Sequence, residues 1–491
     1  MAQVRKAPPA EFLLVERQRP AEMVPPVRWP ARSRTTRAAA FWLLYLCSGA
    51  LAVLVLFADV FVSLPFQTMA ILLLGTALVV GVLMANAVVE GVWSSVFLSF
   101  VVLALFHCGL YITPALGGEI AESLIGGWTG WYSPDLMIRA GYLIELGLLA
   151  YGLGVSIVVL RRRPSADLIS ARTSIHPDLK AHSIVDVGAV VLIAAVGYWY
   201  YTCAAAMGVF FFLQSYGEFR LSTLDASLGT AYLGIAIGAV FISLNPKRPT
   251  GTVALVALLA FVVMALAIGL RSSALIPVVA GIAVYARTHR MPAKRYFLVL
   301  LIVGLLGVSV VQQVRLDGLA DFSLASVSAS PMKAVEEMGS SARVVVTSVD
   351  WHENSGDPFR GGATYWAPID RGVQGALGLE RLDGEQDFRL MNVEIASRVG
   401  QIGGSIIAEA HHNFGPFGVI AVCLIAGLSL AGVTRSITSS NGLAVGGIVM
   451  VLFLMHVRNS FAPIVAWALA AFLALAAANV LSALRSKTRN H

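Results

Sequence analysis

The sequence predicts an all-α polytopic membrane protein, and three observations carry that prediction: its hydropathy, its scarcity of charge, and its apolar runs of spanning length. Of 491 residues, 57% are hydrophobic and only 13% charged, with a mean hydropathy of +0.77. A soluble protein of this length folds as two or three domains, with roughly 25% charged residues to wet their faces. Too little charge is present to solvate such surfaces, which excludes a soluble enzyme. The net charge of +7 does not indicate a nucleic-acid partner, because the basic residues punctuate apolar runs instead of clustering. Cys47, Cys108, Cys203 and Cys423 lie in apolar stretches without CxxC spacing. They read as small core residues, neither a disulfide framework nor a zinc site.

Residues 1–40 form a basic, proline-rich tail that lacks the periodic apolar residues needed to bury a core. Its long basic lead and the full-length apolar run behind it argue for an uncleaved first helix. About 20 residues cross the hydrocarbon at about 1.5 Å each. About twelve transmembrane helices are therefore expected, at 41–63, 66–89, 93–112, 136–160, 184–206, 228–244, 252–270, 273–287, 296–314, 405–433, 442–461 and 463–483. The run 273–287 is the shortest, and Pro463 separates the last two. Lysine and arginine mark cytoplasmic loops. With the amino terminus inside, Arg161–Arg163, Arg172, Lys180, Lys247, Arg248, Arg287, Arg290, Lys294, Arg295, Arg435 and the tail 485–491 all fall inside. Both termini are thus expected in the cytoplasm of a multi-pass protein in the lipid bilayer. The blocks are 41–314 (helices 1–9), 315–404 and 405–484 (helices 10–12).

Three segments fall outside. Residues 113–135, with Trp128 and Trp131, and 207–227, with Phe210–Phe212, carry interfacial aromatics. The third, 315–404, is one large, polar extracytoplasmic loop, long enough to be a functional element. Four arginines at this face run against the inside-positive bias: Arg271, Arg315 and Arg458 at helix ends, and Arg389 in the loop. Each could snorkel singly; four together fit an anion site better. Arginine's planar fork matches phosphate oxygens and stays charged. A lipid diphosphate in the outer leaflet would sit at that depth, and the guanidinium groups would neutralise charge on a departing diphosphate.

A second constellation joins the loop to the tenth helix, Gly403-Gly-Ser-Ile-Ile-Ala-Glu409-Ala-His411-His412-Asn413-Phe-Gly-Pro-Phe-Gly418. Glu409, His412 and Asn413 share a face of a helix at i, i+3 and i+4. Glu409, His411 and His412 are candidate proton acceptors, and an ionisable group at membrane depth is a functional hypothesis by default. The plainer alternative makes Glu409 a structural partner of an arginine. Paired histidines without a sensibly spaced third ligand make no metal site. The chain also lacks GxxxxGK[ST], HExxH and Asp-x-Asp motifs. A lipid-linked donor carries its own leaving group, so no cofactor is expected.

With Gly361-Gly-Ala-Thr-Tyr365, this motif resembles the O-antigen polysaccharide polymerase (Wzy-type) family. That resemblance implies a GT-C-like fold in the bacterial plasma (inner) membrane. It also implies a glycosyltransferase that polymerises polyprenyl-diphosphate-linked oligosaccharide repeat units by inverting, metal-independent transfer. Arg271, Arg315, Arg389 and Arg458 would contact diphosphate, Asn413 and Tyr365 would position substrate, and Glu409 falls on the family's glutamate. A chain-length regulator protein and a flippase are the implied partners. His411-His412 stands where relatives often carry an aromatic, which leaves the base open between Glu409 and a histidine. An O-antigen ligase uses the same donor with a lipid A core acceptor. A flippase would place charge at the midplane, whereas this chain concentrates it at one face. A membrane scaffold would leave the long loop unexplained.

Overall fold

The computed structural model describes residues 39, 42–50, 64–88, 90–120, 132–160, 179–223, 228–289, 291–317, 330–435 and 439–489. The tail 1–38, most of the first expected span, Trp128, Trp131, Arg161–Arg163 and Arg172 lie outside the described residues, as do the side chains of Arg315 and Arg435. Regular structure among the described residues is helical, without a strand. The principal helices are α1 (Phe66–Ala87), α2 (Ser95–Cys108), α3 (Pro134–Leu160), α4 (Leu179–Met207), α5 (Gly229–Ile242), α6 (Pro249–Ile268), α7 (Arg271–Thr288) and α8 (Lys294–Asp317). The polar segment supplies α9 (Pro331–Met338), α10 (Ser341–Glu353), α11 (Ala363–Ala376) and α12 (Met391–Val399). Then follow α13 (Ile406–Arg435), α14 (Ser440–Arg458) and α15 (Ile464–Arg489).

Among the described residues, nine helices are long and apolar enough to cross a membrane. Twelve were expected. The expected first span is described only as helix over 42–50. The run 228–244 forms the 14-residue α5, and 273–287 forms α7. The α7 run falls outside the nine: Arg271, Ser272, Ser273 and Arg287 dilute its hydropathy, and Pro277 sits inside it.

Packing centres on α3 against α13. A Cβ on Gly154 would lie 2.3 Å from the Leu424 carbonyl oxygen, and one on Gly427 2.3 Å from that of Tyr151. Small residues let membrane helices approach until backbones touch, where packing replaces the hydrophobic effect as the driving force. A second, aromatic core joins α4, α5 and α6 around Trp199, Phe211 and Phe261.

Two ends of the bundle are told apart by their polar contacts. At one, Asp186 accepts from Arg248 and Arg485 at 2.6 Å, and Arg287 pairs with Glu90 at 2.9 Å. The other carries residues 330–404, tied down by Arg271–Glu337, Arg139–Glu353 and Arg220–Gln401. That segment is not a surface loop throughout. Val344, Val345, Val346 and Val349 of α10 are fully buried, packed among α2, α3 and α13. At 13 residues α10 is too short to span, which is why its apolar face escapes a hydropathy reading.

The segment enters the bundle where Gly339 meets Gly109. A Cβ on Gly339 would sit 2.2 Å from the Leu110 nitrogen, and one on Gly109 2.1 Å from the Val335 oxygen. Gly339→Ala is expected to destabilise the protein by about 1–3 kcal/mol through overpacking. Gly304→Ala, with open space around it, should be neutral or slightly stabilising. Thermal unfolding of both variants in detergent checks the pair.

Candidate functional site

The site is built on a break in α13. Pro416 has no N–H, so the His412 carbonyl loses its helical donor four residues on. Gly415 stands at φ 66°, ψ −157°, a backbone conformation that favours glycine. The freed carbonyls of His412 and Asn413 accept instead from Arg360 N–H at 3.0 Å and Gly361 N–H at 2.9 Å. The turn ahead of α11 is thereby docked against α13. At the start of α13, Gly404 donates to the Arg458 carbonyl at 2.8 Å. A Cβ on Gly404 would lie 2.4 Å from the Asn459 carbonyl carbon, so the motif's glycine permits the approach of the α14–α15 turn. Ser405 caps the helix through Ala408 N–H at 3.2 Å and contacts His107 Nε2 at 2.7 Å.

Glu409 sits between these two junctions, fully buried. Its Oε2 is held by His456 Nε2 at 3.1 Å and by Phe461 N–H at 2.6 Å. Its Oε1 has no hydrogen-bond partner among the described residues, and neither does the buried hydroxyl of Tyr365. Burial pushes the Tyr365 phenol well above its ordinary value, and the nearby Glu409 adds to it. Tyr365 stands against Phe461 and Phe414, with ring centroids 5.2 and 6.3 Å away. Asn413 donates to the Glu409 carbonyl at 2.8 Å and to Thr364 Oγ1 at 2.7 Å, joining α13 to the first turn of α11. Of the expected helical face, Glu409 and Asn413 serve one site.

The histidines face elsewhere. His411 Nδ1 lies 2.9 Å from Ser348 Oγ, and the ring borders a cavity of about 100 Å³ with Arg139, Tyr142 and Glu353. His412 belongs to a second network. The Asp357 carbonyl, 2.7 Å from His352 Nδ1, can only accept, so that nitrogen carries the hydrogen. His352 Nε2 then accepts from His412 Nδ1 at 3.0 Å, and His412 Nε2 lies 3.0 Å from Glu394 Oε2. Arg360 Nε also approaches His412 Nε2, at 3.4 Å, so both ring nitrogens of His412 face protein partners. Arg360 pairs with Glu394 at 2.5 Å, and Arg398 joins Glu394 and Asp357 while covering the Trp351 ring. Burial alone would raise the Glu394 carboxyl. Bonds and charge from His412 and Arg360 outweigh it and hold the group at about 2. Burial lowers the His352 imidazole against the Asp357 bond, and His412 lowers it further.

The four arginines divide. Arg271, buried at the start of α7, pairs with Glu337 at 2.7 Å. Arg458 reaches Ser340 at 3.4 Å and lies over the Phe106 ring. These two converge on the α9–α10 turn, and Arg458 stands two residues from the histidine that holds Glu409. Arg389 is placed in a different cluster. Its Nε and Nη2 donate to Asp387 and its Nη1 to Asp370, each at 2.9 Å. The Arg389 bonds hold the Asp387 carboxyl below its ordinary value. All three nitrogens are thus committed to tying the segment together. The Arg315 side chain lies outside the described residues.

Glu337, His352, Arg360, Glu394, His456 and Phe461 were not singled out by sequence as site residues. One signal was present: residues 330–404 hold eleven acidic side chains against seven basic ones, enough for the arginines there to find carboxylates. Among the described residues, no group of three or more His, Cys, Asp or Glu is arranged to hold a metal ion.

Residues 40–482 match the O-antigen polysaccharide polymerase Wzy family. The chain belongs to that family. No curated protein and no solved structure matches it. Membership of the Wzy family, together with nine helices among the described residues that are long and apolar enough to cross a membrane, makes it a multi-pass membrane protein, and points to repeat-unit polymerisation of O-antigen.

Glu394→Gln is expected to cost this Wzy chain about 3 kcal/mol at neutral pH, because it strips a buried carboxylate from two arginines and a histidine. The Glu394 carboxyl is depressed in the fold, so its contribution is present above the unfolded value of 4.5. It is lost as pH falls toward 2. Unfolding of wild type and variant from pH 7 to 2 should show the gap closing below about pH 4.5.

Proposed function

We propose that this protein joins polyprenyl-diphosphate-linked oligosaccharide repeat units into surface polysaccharide, with Glu409 as the general base. The observation that carries this reading is the divided Glu409 carboxylate, with one oxygen anchored and the other, though buried, without a hydrogen-bond partner among the described residues. In a polymerase family, such a group suits proton abstraction from a sugar hydroxyl. Fixing Oε2 orients the carboxylate, so Oε1 is the accepting atom.

In the proposed step, Oε1 takes the proton from an acceptor hydroxyl, and that oxygen attacks the anomeric carbon of the donor. The bond from that carbon to the lipid diphosphate breaks, and the diphosphate leaves with the electron pair. The anomeric configuration inverts in a single displacement. Arg271 and Arg458 are the cations set to receive the diphosphate, Arg271 exchanging Glu337 for phosphate oxygens. Neither nucleotide nor metal enters the step. Asn413 and the aromatic pair Phe414–Phe461 position Tyr365, whose hydroxyl donates to the sugar. In this reading the segment 330–404 faces away from the cytoplasm and both termini lie inside. A flippase supplies substrate and a chain-length regulator protein limits the product.

Complementation of a deletion strain tests the assignment. Without the protein, single repeats remain attached to lipid A core; loss of attached repeats altogether would identify a ligase. Glu409→Gln should slow elongation by about 10²–10⁴-fold and leave single repeats at normal protein levels. Arg271→Ala should do the same. His412→Gln should retain long glycans, and a reversal of these outcomes would move the base to the histidine.

A further inference from the structure

Helix α11 is amphipathic in the inverted sense for a water-exposed domain. Its inward face carries the polar groups. Thr364 is bonded to Asn413, Asp370 accepts from Gln374 at 3.0 Å and Arg389 at 2.9 Å, and Arg371 reaches Asp387 at 3.2 Å. Its outward face is apolar, with Trp366, Ile369 and Val373 exposed at helical spacing and Leu377 after the last turn, at 68% exposure. A solvated helix turns its ion pairs outward and its apolar stripe inward. This arrangement fits an apolar surrounding medium.

The surface also has a continuation. Phe414 and Phe417 are exposed on α13, a candidate membrane span, and Phe414 stands against Tyr365 in the first turn of α11. The exposed flank of a spanning helix is covered by acyl chains, and the apolar face of α11 runs directly on from it.

We infer that α11 lies in the membrane interface as an amphipathic helix, with Trp366, Ile369, Val373 and Leu377 seated in the acyl chains of the leaflet on the side of residues 330–404. Tryptophan is suited to that depth, and a helix with an apolar face and a charged opposite face is retained there. The Asp370–Arg389–Asp387–Arg371 cluster forms the protein-side floor on which the helix rests. This placement does not depend on the reaction the chain catalyses. Combined with the proposed reaction, it puts lipid beside Tyr365 and Glu409, where a polyprenyl chain can remain in the leaflet while its diphosphate reaches the arginines.

The test uses the full chain in phosphatidylethanolamine–phosphatidylglycerol vesicles, with a nitroxide attached at Ile369→Cys or Val373→Cys in a Cys47→Ser background. Cys108, Cys203 and Cys423 are buried. Glu380→Cys, on an exposed polar position, is the aqueous reference. Collision rates are read with oxygen, which partitions into lipid, and with a neutral nickel chelate, which stays in water. At 369 and 373 oxygen is expected to dominate, with the ratio reversed at 380. Nickel dominance at 369 and 373 would overturn the inference by placing the face in water. Low collision with both reagents would overturn it by showing the face covered by protein, such as a second copy.

Discussion

The arrangement around Glu409 depends on two carbonyl groups that a helix cannot satisfy. Pro416 withholds a donor from His412, and the turn at Gly415 frees Asn413. Inside a membrane protein an unsatisfied carbonyl is costly, since no bulk water replaces the lost partner. Arg360 and Gly361 supply the two donors, which fixes the position of the α11 turn. Tyr365 and Thr364 follow from that docking, and Asn413 locks them to the backbone of Glu409 itself. A sequence feature that weakens one helix therefore creates the contact between the bundle and the segment crossing its end.

Charge follows a similar economy. Arg360, Arg371, Arg389 and Arg398 of the 330–404 segment are each engaged with carboxylates. Arg389 and Arg371 share Asp387, while Arg360 and Arg398 share Glu394. In partly buried surroundings such pairs hold the segment in one geometry, because removing either member strands the other. Glu409 differs from these acids. It is held by a histidine and a backbone N–H on one oxygen only, which leaves a carboxylate with capacity for chemistry. This contrast sets Glu409 apart from Asp387 and Glu394 and underlies its proposed role.

Much of the fold was legible because spanning helices are a composition signal. Each apolar run, where described, coincides with a helix, although two of them fall short of the length or hydropathy of a clear span. The helix α10 was not legible: its valine run is too short to cross a membrane, and only packing against α2, α3 and α13 reveals it as core. At the site, Glu409 stood out as a carboxyl in an apolar run, and its spacing to Asn413 gave a true contact. His412 shared that spacing yet faces His352 and Glu394, contacts spanning 60 and 18 residues that no local pattern encodes. The carboxylates around Arg389 could have been noticed, since Asp387 lies two residues away. Reading basic residues without their acidic neighbours overstated the number of forks open to a phosphate.

The most direct test of this account is amide hydrogen exchange across residues 358–364 in a Gly415→Ala/Pro416→Ala double variant, which returns a helical donor to the His412 carbonyl. In the wild type, the Arg360 and Gly361 amides should exchange slowly, as donors to α13. The account predicts that this protection is lost in the double variant while α10 and α12 stay protected. Unchanged protection at Arg360 and Gly361 would contradict it.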